Sequence, residues 1–238
     1  MRILVVNDDG VLSPGIVHLA ETAARLGEVW VVAPAEQCSG MSQKLTIFGE
    51  MPVRRLDFPV PIRGAWSVGG TPADCVKLAL DYLLEQRPDY VFSGINDGWN
   101  AGFDIAYSGT VGACSEAVMS GVPAIAFSAK GRSDLSLARA MAEPLARELI
   151  ALGQGPGEIW NINFPGCSVE ECRGVLRERR IAPAPAYRGL LSVRREGDTE
   201  ILSMKGVPSA REEAPDGTDL AAVLDGYISV GKIKIPVL

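Results

Sequence analysis

The feature that most constrains this chain is the run Ile3-Leu4-Val5-Val6 ending directly in Asn7-Asp8-Asp9-Gly10. A short apolar, β-branched-rich run reads as a buried parallel strand. The polar tetrapeptide then falls at the strand's carboxyl end, where an open α/β sheet binds its ligands. Asp-Asp-Gly is also a common turn sequence, because Asp bonds its own backbone and Gly accepts positive φ. Two adjacent carboxylates repel each other, however, and burying even part of that charge is costly without a cation.

Strand and helix signals alternate along the chain. Arg2 to Val6 and Val29 to Ala33 read as strands with a helix between them, Gly15 to Leu26. Thr71-Pro72 opens a second helix, with Thr as N-cap and Pro at the first helical position. A strand from Tyr90 to Ser93, a helix from Thr110 to Met119, a strand from Ala124 to Ser128, a helix from Leu135 to Leu152 and a strand from Ile159 to Ile162 follow. This order predicts right-handed βαβ units and an α/β fold: a Rossmann-like, doubly wound, mainly parallel sheet in three layers. Pro52, Pro59 and Pro61 mark Met51 to Val68 as edge strands or a hairpin. Val175 to Lys205, rich in Arg and Glu, reads as an extended hairpin or arm. A short helix around Leu220 to Leu224 and strand pieces Tyr227 to Val230 and Ile233 to Val237 close the chain. The expected organisation is one domain over 1–238, with a core of about 1–170 and a C-terminal oligomerisation arm of about 171–238.

Composition excludes several functions. The 238 residues carry a net charge of −6 and 47% hydrophobic residues, which fits a globular domain with a sizeable core and no general attraction for nucleic acid or an anionic membrane. The single histidine, His18, argues against a Ser-His-Asp triad, a zinc site built from imidazoles and a phosphohistidine mechanism. The five cysteines form no Cys-x-x-Cys pair, and no apolar run approaches the ~18 residues of a membrane span. With no secretory segment in evidence, a reducing, cytoplasmic setting is expected.

Four polar loops lie at predicted strand ends. Asn7 to Gly10 is the first, and Cys38-Ser39-Gly40 belongs to the second. Ser93 to Asn100, containing Asn96 and Asp97, is the third. Ser108-Gly109-Thr110, before a helix, is the fourth. Asp8, Asp9, Ser39 and Asn96 are all oxygen donors, a set that suits one Mg²⁺ or Mn²⁺ and not a soft metal. Ser108, Gly109 and Thr110 would offer an anion free backbone N–H groups, two hydroxyls and the helix dipole. Asn7 is grouped with them as a phosphate or substrate contact. Trp99, Phe103 and Tyr107 suit either base stacking or packing.

Taken together, these motifs resemble the SurE family, the survival-protein nucleotidases. The resemblance is carried by the opening Ile3 to Gly10 with Ser13-Pro14-Gly15-Ile16, by Val32-Ala33-Pro34 with Ser39-Gly40, and by Gly70 to Val76. It continues through Ser93 to Asn96, Asn100-Ala101-Gly102, Tyr107 to Ala113 and Asn161 to Pro165, with weaker echoes at Thr218-Asp219 and Gly226 to Val230. It implies a divalent-metal-dependent 5′-nucleotidase (EC 3.1.3.5), an acid-phosphatase-like phosphoric monoester hydrolase acting on nucleoside 5′- and 3′-monophosphates. It also implies one metal ion per subunit on Asp8, Asp9, Ser39 and Asn96. The catalytic residues are then Asp8, Asp9 and Asn96, with either acid orienting or deprotonating the attacking water. The family's members form dimers or tetramers through exchanged C-terminal segments. Ile201 to Gly206 and Gly231-Lys232-Ile233 depart from its usual C-terminal pattern. An enzyme forming an aspartyl phosphate and a non-catalytic nucleotide sensor are the other readings of the residues. The absence of Asp-x-Asp spacing weighs against the first.

Overall fold

The structure is a computed structural model, and residues 1–235 are described. Strand β1 (Arg2–Val6) lies in the middle of a nine-stranded sheet, flanked on both sides by parallel partners. Helix α1 (Pro14–Ala24) leads to β2 (Glu28–Pro34). Then come β3 (Val53–Leu56), β4 (Gly64–Val68) and α2 (Pro72–Leu78), which continues as a π-helical turn over Ala79–Leu83. Strand β5 (Tyr90–Asp97), α3 (Gly109–Met119), β6 (Ala124–Ala129), α4 (Ser136–Leu152) and β7 (Glu158–Phe164) complete the repeating part. Strand β8 (Val175–Arg179), the ribbon strands β9 (Tyr187–Glu196) and β10 (Thr199–Pro208), helix α5 (Asp219–Leu224) and β11 (Ile228–Lys234) follow.

The sheet runs β3-β4-β2-β1-β5-β6-β7-β11-β8. Only the pairings β3–β4 and β7–β11 are antiparallel. Alternate residues of the central strands feed two cores. Ile3 and Val5 pack under α1 and α4, whereas Leu4 and Val6 pack under α2 and α3. That period-2 division is why β1 reads as uniformly apolar: both of its faces are covered.

The expected right-handed units hold for three connections but not for the fourth. The β1–α1–β2 link runs one way along the sheet on one face, and the α2 and α3 links run the other way on the opposite face, so all three share one hand. The β6–α4–β7 link runs in the α3 direction but places α4 beside α1. It therefore has the opposite hand, against a rule that parallel crossovers follow in about 98% of cases. As a result, the loop between β6 and α4 returns to the α1 side of the strand ends.

Other expectations shift in detail. The Met51–Val68 region forms the expected hairpin at one end of the sheet. Strand β3 forms the edge, while β4 lies inside it as a parallel partner of β2. Strand β5 extends to Asp97, so Asn96 and Asp97 stand on the strand's end and not in a loop, paired in register with Ser128 and Ala129. The C-terminal pieces merge into one strand, β11, whose expected last residues, 236–237, lie outside the described residues. Strands β8 and β11 join the main sheet, and residues 187–208 alone form a separate antiparallel ribbon. Among the described residues, no helix is long and apolar enough to cross a membrane.

Candidate active site

The site is built from the carboxyl ends of β1, β2 and β5 and the start of α3. Asp8 is buried at 2% exposure. Its Oδ1 accepts a hydrogen bond from the Thr110 hydroxyl at 2.6 Å, and its Oδ2 accepts one from the Thr110 backbone N–H at 3.1 Å. The Asp8 carbonyl accepts the Cys38 N–H at 2.7 Å, which sets the neighbouring, exposed Ser39 at the edge of the acids. Asp9 turns towards the end of β5, where its Oδ2 accepts the Asp97 N–H at 2.9 Å. Asn96, half-buried, donates from its amide to the Gly98 carbonyl at 2.8 Å, which leaves its own side-chain oxygen without an assigned partner. The two acids thus stand between an α3 side and an α1 side of one crevice.

Glycine makes the approach of α3 possible. A Cβ on Gly109 would lie 2.9 Å from the Asp8 Cβ and 3.0 Å from its Oδ2. Similarly, a Cβ on Gly15 would fall 2.0 Å from the Ile95 carbonyl, so α1 can start against the end of β5 only with Gly there.

The electrostatics follow from burial. Loss of hydration pushes the Asp8 carboxyl up to about 6; the Thr110 hydrogen bonds oppose the rise and the charge of Asp9 adds to it. Asp9 is also raised, by burial first and by the charge of Asp97, against the pull of the Asp97 N–H and Gln37. Two adjacent carboxylates with raised pKa values form a site short of positive charge.

The residues present fit a hard divalent cation. Among the described residues, no three His, Cys, Asp or Glu side chains cluster as metal ligands, so a cation here would rest on two carboxylates and neutral oxygens. Asn7 Oδ1 is a buried acceptor without a partner in the same loop. That donor set suits Mg²⁺ or Mn²⁺.

The anion-binding residues are distributed differently from the sequence expectation. Thr110 uses both its hydroxyl and its N–H on Asp8, so the anion at the start of α3 is the protein's own carboxylate. Ser108 is the N-cap, and its Oγ accepts the Val111 N–H at 3.0 Å while its hydroxyl proton stays available. Gly109, at the first helical position, keeps an N–H with no intrahelical partner. Asn7 donates from its amide to the Gly10 carbonyl at 2.9 Å and to Ser13 Oγ at 2.8 Å. Its remaining atom is an acceptor, which a phosphate oxygen would repel.

Several residues that the sequence marked only as parts of motifs prove to be supports. Asn100 sits in a buried network with Ser128, Asn161 and Asn163 that fixes the chain after β5. Asp219 accepts the Gly102 N–H at 3.0 Å and the Ala182 N–H at 2.9 Å, tying the same segment to the C-terminal region. Trp99 is 4% exposed, donates to the Phe164 carbonyl and packs against Tyr187, so it is a packing residue. Phe103 and Tyr107 are exposed. The density of Asn and Asp in these segments was the available signal, but their partners lie between 28 and 117 residues away in sequence, and spacing alone does not pair them.

Two cavities flank the acids. One of about 470 Å³ opens against Asp9, between Pro14 at the start of α1 and Arg132 and Leu135 after β6. Another of about 410 Å³ lies between the ends of β2 and β4, beside Cys38, Lys44 and Thr71.

Comparison with known proteins agrees with this architecture. The family model described as "Survival protein SurE" matches residues 3–182. A crystal structure of the SurE protein from Aquifex aeolicus superposes with a TM-score of 0.84 at 34% identity, covering 100% of this chain and 95% of that one.

Proposed function

The chain belongs to the SurE family, a family of phosphatases and nucleotidases, and from that premise we propose that it is a divalent-metal-dependent phosphomonoesterase hydrolysing nucleoside 5′- and 3′-monophosphates. The observation that carries the reading is the Asp8–Asp9 pair: one carboxylate buried against the start of α3 and its neighbour turned to the opposite wall of the crevice. A cation held by Asp8, Asp9, Ser39 and Asn96 would neutralise phosphate charge and lower the pKa of a water molecule.

The protein's own groups then divide the work. Asp8 is held rigid by Thr110, and with both oxygens hydrogen-bonded it is poorly placed to attack phosphorus. This favours hydrolysis by water over an aspartyl phosphate. Asp9 keeps one carboxylate oxygen free of the Asp97 hydrogen bond, so it is the better group to orient the water and take its proton. The Gly109 N–H and the Ser108 hydroxyl donate to phosphate oxygens at the positive end of α3. The Asn96 side-chain oxygen, left without an assigned partner, would complete the donor set.

The β9–β10 ribbon exposes Leu190, Leu191, Val193, Leu202 and Met204. Apolar side chains on a ribbon outside the main sheet fit contact with a second copy of the chain, in a homodimer or homotetramer.

Phosphate release from 5′-AMP and 5′-GMP, with Mn²⁺ and with EDTA, tests the function. Release that requires the metal and is lost in Asp8→Asn is the expected result. Metal-independent release, or none, would overturn the reading.

A further inference from the structure

Resting on the phosphomonoesterase reading above, we propose that the cavity on the α1 side of Asp9 receives the nucleoside of the substrate, and that Arg132 is a specificity-determining residue there. The reversed β6–α4–β7 connection shapes this cavity. By placing α4 beside α1, it brings the segment after β6 back over the strand ends, where Arg132 and Leu135 wall the cavity opposite Pro14.

Arg132 is seated there by a short relay. The Asp97 N–H donates to Asp9 Oδ2 at 2.9 Å, and the Asp97 Oδ1 accepts the Arg132 N–H at 2.6 Å. The Arg132 backbone has φ 59°, a conformation that side-chain-bearing residues seldom adopt. Among the described residues, its guanidinium makes no ion pair. The backbone of Arg132 is therefore anchored through Asp97 to a proposed catalytic acid, and its exposed guanidinium is left available to a ligand.

The lining identifies the ligand class. At about 470 Å³, the cavity is within the range of small-molecule sites. Pro14, Ile95 and Leu135 supply apolar wall, while Gln37 and Asp97 supply groups for hydroxyls. With Asp9 given to the cation, Asp97 offsets Arg132, so the cavity wall has no surplus positive charge of its own for a second phosphate. A neutral moiety with a flat ring and several hydroxyls satisfies both halves. A nucleobase stacks on the guanidinium face, and the sugar meets Gln37 and Asp97.

The test compares Arg132→Asn with the unaltered protein in Mn²⁺, because Asn tolerates positive φ. Two esters are assayed, 5′-AMP and glycerol 2-phosphate, and adenosine is titrated by calorimetry. The ratio of kcat/KM for 5′-AMP to that for glycerol 2-phosphate should fall about threefold, mostly through KM, the scale of a cation–π contact made by an exposed side chain. Adenosine should bind correspondingly more weakly. An unchanged ratio, or adenosine binding that is absent or equal in the two proteins, overturns the proposal. Failure of the unaltered protein to hydrolyse either ester overturns the phosphatase reading instead, and the adenosine titration still decides the cavity.

Discussion

Thr110 clamps Asp8 with two hydrogen bonds, one from its hydroxyl to Oδ1 at 2.6 Å and one from its backbone N–H to Oδ2 at 3.1 Å. The residues are 102 apart in sequence, so this contact fastens the end of β1 to the start of α3. The same contact stabilises the charged form of a carboxylate that burial otherwise pushes towards neutrality. Thr110→Val should remove the stronger of the two bonds and leave Asp8 protonated to higher pH. The acid limb of the activity profile should move up in pH, with a stability loss of about 1–3 kcal/mol. A pH–rate profile set beside a urea titration checks both effects.

Asp8 makes the cation-free protein sensitive to pH. Its folded-state pKa of about 6 lies above the ordinary 3.8, so between those values the folded protein holds more protons than the unfolded chain. Stability therefore falls as pH rises through that window. The penalty is absent below it and complete above it, at no more than about 3 kcal/mol. Asp8→Asn removes the penalty. Without metal at neutral pH, the variant should melt above the parent protein, and the difference should vanish in acid. Adding Mn²⁺ should raise the melting temperature of the parent protein and leave that of Asp8→Asn nearly unmoved.

Gly109→Ala should damage the site more than the fold. The new methyl would sit 2.9 Å from the Asp8 Cβ and 3.2 Å from Pro72 Cγ, closer than packing allows. Either Asp8 or the first turn of α3 must shift, and a displacement near 1 Å at reacting groups costs about a hundredfold in rate. Parallel measurement of kcat/KM and melting temperature separates the two effects. A large stability loss with normal kinetics per folded molecule would contradict the expectation.

Asp219→Ala tests the support from the C-terminal region. This buried carboxylate accepts the N–H groups of Gly102, Ala182 and Leu220. Its removal leaves buried donors unpaired, at about 1–3 kcal/mol each where water does not reach them. Chemical denaturation should show the loss. Activity at low temperature should fall as well, because the segment held through Gly102 leads into Ser108.

Replacing Leu191, Leu202 and Met204 with Lys should lower the oligomeric order seen by light scattering. These side chains are exposed on a ribbon whose strands pair with no described strand of the main sheet. An unchanged mass would contradict a role for the ribbon in assembly.

The fold was legible wherever a local period reports burial. Strand β1 matched its reading from Arg2 to Val6, and Thr71-Pro72 opened α2 as N-cap and first helical residue as expected, with Asp74 adding a capping box that was not foreseen. The reversed β6–α4–β7 connection was not legible, because handedness leaves no mark in the spacing of apolar residues. Neither was the extension of β5 to Asp97: Gly94, Asn96, Asp97 and Gly98 read as loop, yet register with β6 keeps the chain extended. At the site, the donor types were visible in the strand-end segments, but the division of labour was not. Thr110 read as a phosphate donor and in fact serves Asp8. Asn7 read likewise, and its amide is consumed within its own turn. Such assignments depend on which donors are already engaged, which only three-dimensional pairing reveals.

The proposed chemistry depends on a single divalent cation gathered by oxygen atoms from the ends of β1, β2 and β5. Anomalous diffraction from crystals soaked in Mn²⁺ tests it most directly. One strong peak per chain is expected, bounded by the side chains of Asp8, Asp9, Ser39 and Asn96. A map with no peak between these residues, or with manganese bound only elsewhere, would contradict it.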